Sequence, residues 1–109
     1  MWEEIENCIK DLNKTLSSFK KYKKKYAEKE RIYRQSLAKK ILELRTSGIP
    51  VTIISDLARG DEEIAKLRYE KDIAESLSDS AEQGINFYKL KLRTLESQYS
   101  KEWDNQKFL

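Results

Sequence analysis

The chain contains only four residues that disfavour helix interiors, and three of them lie close together near its middle. Gly48, Pro50 and Gly60 form this central group, whereas Gly84 stands alone. Glycine interrupts helices because it lacks a side chain, and proline because it lacks a backbone N–H group. We therefore expect two long helices and one connection. The predicted single helical-hairpin domain, 1–109, consists of a helix at about 2–47, an apolar connection at 48–60 and a second helix at about 61–104.

Apolar residues recur along both predicted helices at alternating spacings of three and four, which is the heptad seam of a coiled coil. The first seam is Trp2, Ile5, Ile9, Leu12, Leu16, Phe19, Tyr22, Tyr26, Tyr33, Leu37, Ile41 and Leu44. The second seam is Ile64, Leu67, Ala74, Leu77, Ala81, Ile85, Tyr88, Leu92, Leu95 and Tyr99. Each seam has one break, near Glu30 in the first helix and near Glu70 and Lys71 in the second.

The two seams predict an all-α fold, a long antiparallel two-helix coiled-coil hairpin, because only folding back lets each helix bury the other's seam. With the fold-back centred near residue 54, residues face one another when their numbers add up to about 108. Residues 9–47 carry a net charge of +9 and residues 61–82 carry −5. Antiparallel pairing therefore places opposite charges side by side.

Several apolar residues lie outside the narrow seams, so the apolar stripes are wider than two helices can cover. They are Ile32, Ala38, Leu42, Ile73, Gly84, Phe87 and Leu90. We expect a homo-oligomer, a dimer of hairpins forming a helical bundle or a higher assembly, with a heterologous partner helix as the alternative. At such a contact Gly84 would allow two backbones to approach closely.

The predicted connection is unusually apolar for a turn at the end of a helical rod. Its large aliphatic residues are Ile49, Val51, Ile53, Ile54 and Leu57. In one interpretation they fold over the open end of the seam, and Thr52 or Ser55 caps a one-turn helix that ends at Gly60. In the other interpretation some of them stay exposed and bind a protein partner. The two interpretations are compatible.

A run of lysines on the first helix is the candidate nucleic-acid-binding region. In the predicted register it faces further basic residues of the second helix. The candidate residues are Lys20, Lys21, Lys23, Lys24, Lys25, Lys89, Lys91 and Arg93. Clustered basic side chains can neutralise phosphates, but Tyr22 and Tyr26 within the run lie on the seam, and lysines on a long helix also form ordinary solvated surfaces.

The composition argues against catalysis. The chain has no histidine, and its single cysteine is Cys8. Histidine is the commonest general base and metal ligand, and one cysteine cannot form an intramolecular disulfide. A glycine-rich phosphate loop, paired cysteine ligands and a nucleophile with a histidine base are all missing from the sequence. We expect no enzymatic activity, no catalytic, metal-binding or cofactor-binding residue, and no cofactor.

Charge and hydropathy also argue against a membrane. Charged residues make up 38% of the chain. No apolar run approaches the length that spans a bilayer. The first residues, including Glu3 and Glu4, are acidic where a secretory signal is basic. We expect a protein without membrane association, located in the cytoplasm.

Two segments, residues 33–40 (YRQSLAKK) and 48–61 (GIPVTIISDLARGD), carry a resemblance that extends over residues 27–99. This stretch resembles a group of small, largely uncharacterised helical proteins encoded by phages and prophages of Gram-positive bacteria. That group has proline at the position of Ser55, and serine also suits the start of a helix. The resemblance implies a phage setting, a neighbourhood of recombination or replication genes, and the cytoplasm of a bacterial host.

The residues and the resemblance together predict a non-enzymatic accessory or adaptor protein in phage DNA recombination or replication. It would act through protein–protein contacts of the apolar connection, with weak DNA contact by the lysines. One alternative is a host-directed inhibitor of a defence or transcription enzyme. Another is a structural component of a virion or of its assembly.

Overall fold

The computed structural model describes residues 1–107, and nearly all of them are helical. The helices are α1 (Trp2–Thr46), α2 (Val51–Gly60) and α3 (Glu62–Lys107). Within this described part of the chain there is no β-strand. The predicted all-α class is therefore confirmed.

The end of α1 follows from the glycine at residue 48. Gly48 has a φ angle of 81°, the left-handed conformation that residues with a Cβ atom rarely adopt. Its N–H donates to the Arg45 carbonyl oxygen at 3.1 Å, and the Ile49 N–H donates to the Leu44 carbonyl oxygen at 3.2 Å. These two hydrogen bonds form a Schellman motif, and Pro50 prevents the helix from continuing. The predicted glycine stop is confirmed.

The start of α3 is set by Asp61. Its Oδ2 atom accepts hydrogen bonds from the backbone N–H groups of Glu63 at 3.2 Å and Ile64 at 3.3 Å. These are two of the N–H groups that a helix start leaves without a partner inside the helix. The Asp61 N–H in turn donates to the Ala58 carbonyl oxygen at 3.3 Å, which closes the end of α2. Asp61 thus caps α3, as predicted.

The connection between the long helices is itself a helix, α2, and is longer than the one-turn helix predicted from its sequence. It begins at Val51, directly after Pro50, and it ends at Gly60. Thr52 and Ser55 lie inside the helix and do not cap it. The physical reason is that Pro50, with φ −57° and ψ 136°, is itself the N-cap residue, so the helix begins before either hydroxyl is reached.

The described chain forms two compact units. Unit 1 comprises Met1–Lys21 together with the chain from Asp79 onward, and unit 2 comprises Tyr22–Ser78. Both long helices contribute a segment to each unit, whereas α2 belongs wholly to unit 2.

The core of unit 1 is a small cluster from α1 and α3. Ile5, Cys8 and Leu95 are buried, and Tyr88 and Leu92 pack against them. The Cys8 Sγ atom lies 3.5 Å from the Tyr88 carbonyl oxygen. Cys8 therefore behaves as a small buried apolar residue with a weak S–H donor.

Gly84 provides a close approach between helices, but within one chain. A Cβ atom placed on Gly84 would lie 3.1 Å from the Cγ2 atom of Thr15. The Thr15 hydroxyl donates to the Asp11 carbonyl oxygen at 2.8 Å, which directs the methyl group towards α3. Thr15 of the same chain occupies the space beside Gly84 that faces α1. The prediction that Gly84 allows two copies to approach closely is therefore wrong for this side of α3.

Unit 2 combines α2 with the adjoining parts of the long helices. Its buried residues are Ile54, Ala58, Ile64, Ala74 and Ser78. Two ion pairs join α1 to α3, Lys29 with Glu70 and Lys40 with Asp61, each at 3.4 Å. As the residue number rises along α1 it falls along α3, so the two segments run antiparallel within this unit.

The register between these segments differs from the predicted one. The prediction places Lys29 opposite Asp79, whereas its Nζ atom lies 3.4 Å from Oε2 of Glu70. The fold-back is not centred on residue 54 because α2 takes up most of the connection. As a result α3 begins opposite Lys40, before α1 has ended.

The contact at Gly84 predicts a coupling between two substitutions. Gly84→Ala should gain up to about 1 kcal/mol from helix propensity. The Thr15 methyl group should cancel much of that gain, because it must move to admit the new Cβ atom. In the Thr15→Ser background, which keeps the hydroxyl and removes the methyl, the full gain should appear. Urea unfolding of the wild type and the three variants measures this, and equal gains in both backgrounds would contradict the contact.

The cap at residue 61 predicts a pH dependence of stability. The pKa of Asp61 is lowered from its ordinary value, first by the hydrogen bond from the Ile64 N–H and then by the Lys40 ammonium group. A lowered folded-state pKa stabilises the fold above the unfolded pKa of about 3.9, and this stabilisation is lost as the pH falls through the folded value.

The Asp61→Asn variant keeps a capping acceptor but does not titrate, and the other carboxylates are common to both proteins. The free energy of unfolding of the wild type should therefore exceed that of the variant by less at pH 2 than at pH 6. A difference that stays constant over this range would show that the Asp61 charge does not stabilise the cap.

Candidate protein-binding surface on helix α2

Helix α2 presents one buried face and one exposed apolar face. Ile54 and Ala58 are one turn apart and only 4% and 0% exposed. Ile53 and Leu57 are also one turn apart, on a neighbouring face, and are 45% and 46% exposed. Val51, in the first turn, is 77% exposed. Val51 precedes Ile53 by two residues and so points about 160° away from it around the helix. We call Ile53 and Leu57 the α2 outer face.

The five aliphatic residues predicted to bind a partner therefore have different environments. Ile54 points inward and anchors α2, and Ile49 is half-buried. Val51, Ile53 and Leu57 remain on the surface. The interpretation that the aliphatic residues cover the end of the seam thus fits Ile54. The interpretation that some of them stay exposed fits Val51, Ile53 and Leu57. Ile54 is not available to a partner while unit 2 is folded.

The exposed aliphatic residues of the α2 outer face stand among polar neighbours. Thr52, Ser55, Asp56 and Arg59 are all exposed on the same short helix. An apolar surface with a polar surround is a common arrangement at protein–protein contacts. Single exposed aliphatic residues are ordinary on protein surfaces, but Ile53 and Leu57 are one helical turn apart and form an adjoining pair.

The predicted lysine run lies on the surface of α1. The side chains of Lys20, Lys21, Lys23, Lys24 and Lys25 are all exposed. The interleaved Tyr22 and Tyr26 are half-buried, and the Lys23 Nζ atom lies 6.0 Å from the centre of the Tyr26 ring. The tyrosine rings are therefore partly used in packing, and the lysines carry the charge of this surface.

The basic residues of α3 do not face the lysine run as predicted. Lys89, Lys91 and Arg93 surround Leu92, which packs in the unit 1 core beside Cys8. Lys20 lies about 18 Å further along α1 than Cys8, at a rise of 1.5 Å per residue. The predicted facing is wrong because it used a symmetric fold-back: within unit 1, Lys20 and Lys21 do not lie opposite Lys89, Lys91 and Arg93.

A polar layer crosses unit 2 where the two apolar seams are interrupted, and sequence reasoning did not connect the two breaks. Lys29 pairs with Glu70, and the Lys71 Nζ atom lies 5.3 Å from the centre of the Tyr33 ring. Burial raises the pKa of the Tyr26 hydroxyl, and the charge of Glu30 adds to the effect. The breaks at Glu30 and at Glu70 and Lys71 therefore lie in the same part of unit 2.

Lys71 remains charged in this layer. A hydrogen bond with Asp72 raises the pKa of its ammonium group, although partial burial acts in the opposite direction. The Lys71 Nζ atom lies 3.2 Å from the Asp72 carboxylate. The seam gap at residue 71 is thus filled by the long aliphatic stem of a lysine whose charge reaches a carboxylate at the edge.

A shallow groove of about 270 Å³ lies between α1 and α3 in unit 2. We call it the α1–α3 groove. It is lined by Lys25, Lys29, Tyr69, Glu70, Ile73, Ala74 and Leu77. Tyr69 is 67% exposed and lies on neither predicted seam. The spacing of Tyr69, Ile73 and Leu77 by four residues was the sequence signal for this surface.

Comparison with protein-family models, with curated proteins and with solved structures gives no match for this chain. Within residues 1–107, no cluster of three or more His, Cys, Asp or Glu side chains is arranged to hold a metal ion. None of the described helices combines the length and the apolar character needed to cross a membrane.

The buried and the exposed aliphatic residues of α2 predict different responses to replacement by alanine. Ile54→Ala should lower the free energy of unfolding by about 3 kcal/mol, because it removes buried methyl groups and leaves a cavity. Val51→Ala should change it by less than about 0.5 kcal/mol, because the side chain already faces solvent. Urea unfolding followed by circular dichroism checks both. Equal effects would show that α2 is not anchored through Ile54.

Proposed function

We propose that this protein is a non-enzymatic adaptor that binds a protein partner through the α2 outer face. The observation that supports this most directly is the exposure of Ile53 and Leu57, one turn apart on a helix that Ile54 and Ala58 hold in place. A surface on an anchored helix binds with a smaller loss of conformational entropy than a flexible loop would.

The proposed architecture is an antiparallel coiled-coil hairpin that associates with itself. Antiparallel contacts between α1 and α3 occur in unit 2, where Lys29 meets Glu70 and Lys40 meets Asp61. They also occur in unit 1, where Cys8 meets Tyr88 and Thr15 lies beside Gly84. Exposed apolar residues outside the seams, such as Phe87 and Leu90, support self-association, because a second copy would cover them.

The proposed setting is DNA recombination or replication of a phage, in the cytoplasm of its bacterial host. It is supported by the resemblance of residues 27–99 to phage-encoded helical proteins. The exposed lysines 20, 21, 23, 24 and 25 would add weak contact with the phosphate backbone. Such contact would be independent of DNA sequence, because backbone charges alone carry no base information.

The adaptor function is tested by comparing three forms of the protein as bait in a lysate of phage-carrying host cells. The outer-face variant replaces Ile53 and Leu57 with serine. The control replaces Leu42, which is 65% exposed on α1, with serine. A phage recombination or replication protein should be retained by the wild type and by the control and lost with the outer-face variant.

Retention of that partner by the outer-face variant would contradict the role of α2. Capture of a host defence or transcription enzyme without phage proteins would replace the adaptor by a host-directed inhibitor. Ordered high-mass assemblies would favour a structural role in the virion.

The DNA contact is tested by fluorescence anisotropy with labelled duplex and single-stranded DNA. If about four phosphates are neutralised, affinity for duplex DNA should fall about 150-fold between 50 and 200 mM salt. Replacing Lys23, Lys24 and Lys25 with glutamine should reduce this salt dependence. Absence of binding at 50 mM salt would show that the lysines form an ordinary solvated surface.

A further inference from the structure

An exposed apolar row runs along α3 within unit 2. Tyr69, Ile73 and Leu77 are 67%, 46% and 40% exposed. Their spacing of four residues places them in line on one side of the helix. Together with Lys25 and Lys29 of α1 they line the α1–α3 groove. An apolar row in a groove between two helices has the form that receives a third helix.

The two flanks of this row carry different charged groups. Lys25 and Lys29 of α1 form one flank. Ala74 is buried, so the residue that follows Ile73 points towards the interior of unit 2. Asp72, which precedes Ile73, therefore lies on the opposite flank. Its side chain is 52% exposed, and it has two cationic neighbours on α3, Lys71 at 3.2 Å and Arg68 at 3.9 Å.

We propose that the α1–α3 groove binds α3 of a second copy of this chain, in a parallel pair about a two-fold axis along the helices. This inference rests on the self-association proposed above and assigns it a surface and a direction. A two-fold axis along α3 places the lysine flank of each copy against the Asp72 flank of the other. An antiparallel pair would place lysines against lysines, which is unfavourable.

The positions of the charged residues along the helix axis fit the parallel pair. Lys29 is level with Glu70, to which it is paired. Lys25 lies one turn earlier on the antiparallel α1 and so is level with Ala74, and both line the groove. In a parallel symmetric pair, equivalent residues lie at the same position along the helix axis. Asp72 of the second copy therefore lies between Lys25 and Lys29 along that axis.

The exposed residues of the α3 row favour a second copy of the chain as the occupant of the groove. Ile73 and Leu77 would pack against the same residues of the other α3, and each copy's helix would lie in the other's groove. Both members of the pair thus bury their exposed row in one symmetric contact. The contact adds two helices to two, which is the four-helix arrangement that covers wide apolar stripes.

The mass of the full chain is measured by light scattering during gel filtration, with the dissociation constant from analytical ultracentrifugation. The wild type should have twice the 12.9 kDa chain mass. The Ile73→Ser, Leu77→Ser variant should have the mass of one chain while keeping its helical circular dichroism, because both side chains are already exposed.

Charge reversal tests the direction. Lys25→Glu alone and Asp72→Lys alone should each raise the dissociation constant about tenfold at low salt, since each creates two like-charge contacts per dimer. The double variant should restore the wild-type value. Lys24→Glu, an equal charge change one residue along α1 and away from the groove, is the matched control and should have a smaller effect.

Three results would overturn the inference. A wild type with the mass of one chain at 100 μM would reject self-association, while the bait experiment would still decide the role of α2. A dimer insensitive to Ile73→Ser, Leu77→Ser would place the contact elsewhere on the chain. Preferential pairing of Lys25→Glu with the wild type would show lysine facing lysine, and hence an antiparallel dimer.

Discussion

The structure depends on the burial of two narrow apolar stripes that neither long helix can cover alone. Ile5, Cys8 and Leu95 form the core of unit 1, while Ile64 and Ala74 are among the few apolar residues buried in unit 2. Each long helix therefore gains its stability from packing spread along its length, because an isolated amphipathic helix is marginal in water. The high proportion of charged residues follows from this arrangement, since most of each helix surface faces solvent.

The polar layer of unit 2 limits the ways in which α1 and α3 can align. The ion pair of Lys29 and Glu70 is about one-third exposed and contributes little to stability by itself. A shift of one heptad would place Lys29 opposite Leu77 in one direction, or Glu70 opposite Tyr22 in the other. Either shift would separate Lys71 from Tyr33. Misaligned polar groups are more costly than aligned ones, so the two seam breaks specify register better than they stabilise it.

Helix ends could be predicted from the sequence because they depend on local chemistry. Gly48 and Asp61 act through backbone geometry and hydrogen bonds within a few residues. The register and the extent of α2 could not be predicted, because they depend on which distant residues meet. Within the candidate surface, composition marked the aliphatics of residues 49–57, but only the fold separates the buried Ile54 from the exposed Ile53 next to it.

Unit 2 exposes apolar side chains in two places, the α2 outer face and the row along α3, and each lies beside a buried anchor. If one of these surfaces binds a second copy of the chain, the other is present twice in the dimer. A parallel dimer through α3 would carry two α2 outer faces related by the same two-fold axis. A partner with two matching sites would then bind with an effective concentration set by that geometry, so modest contacts at Ile53 and Leu57 would suffice for stable association.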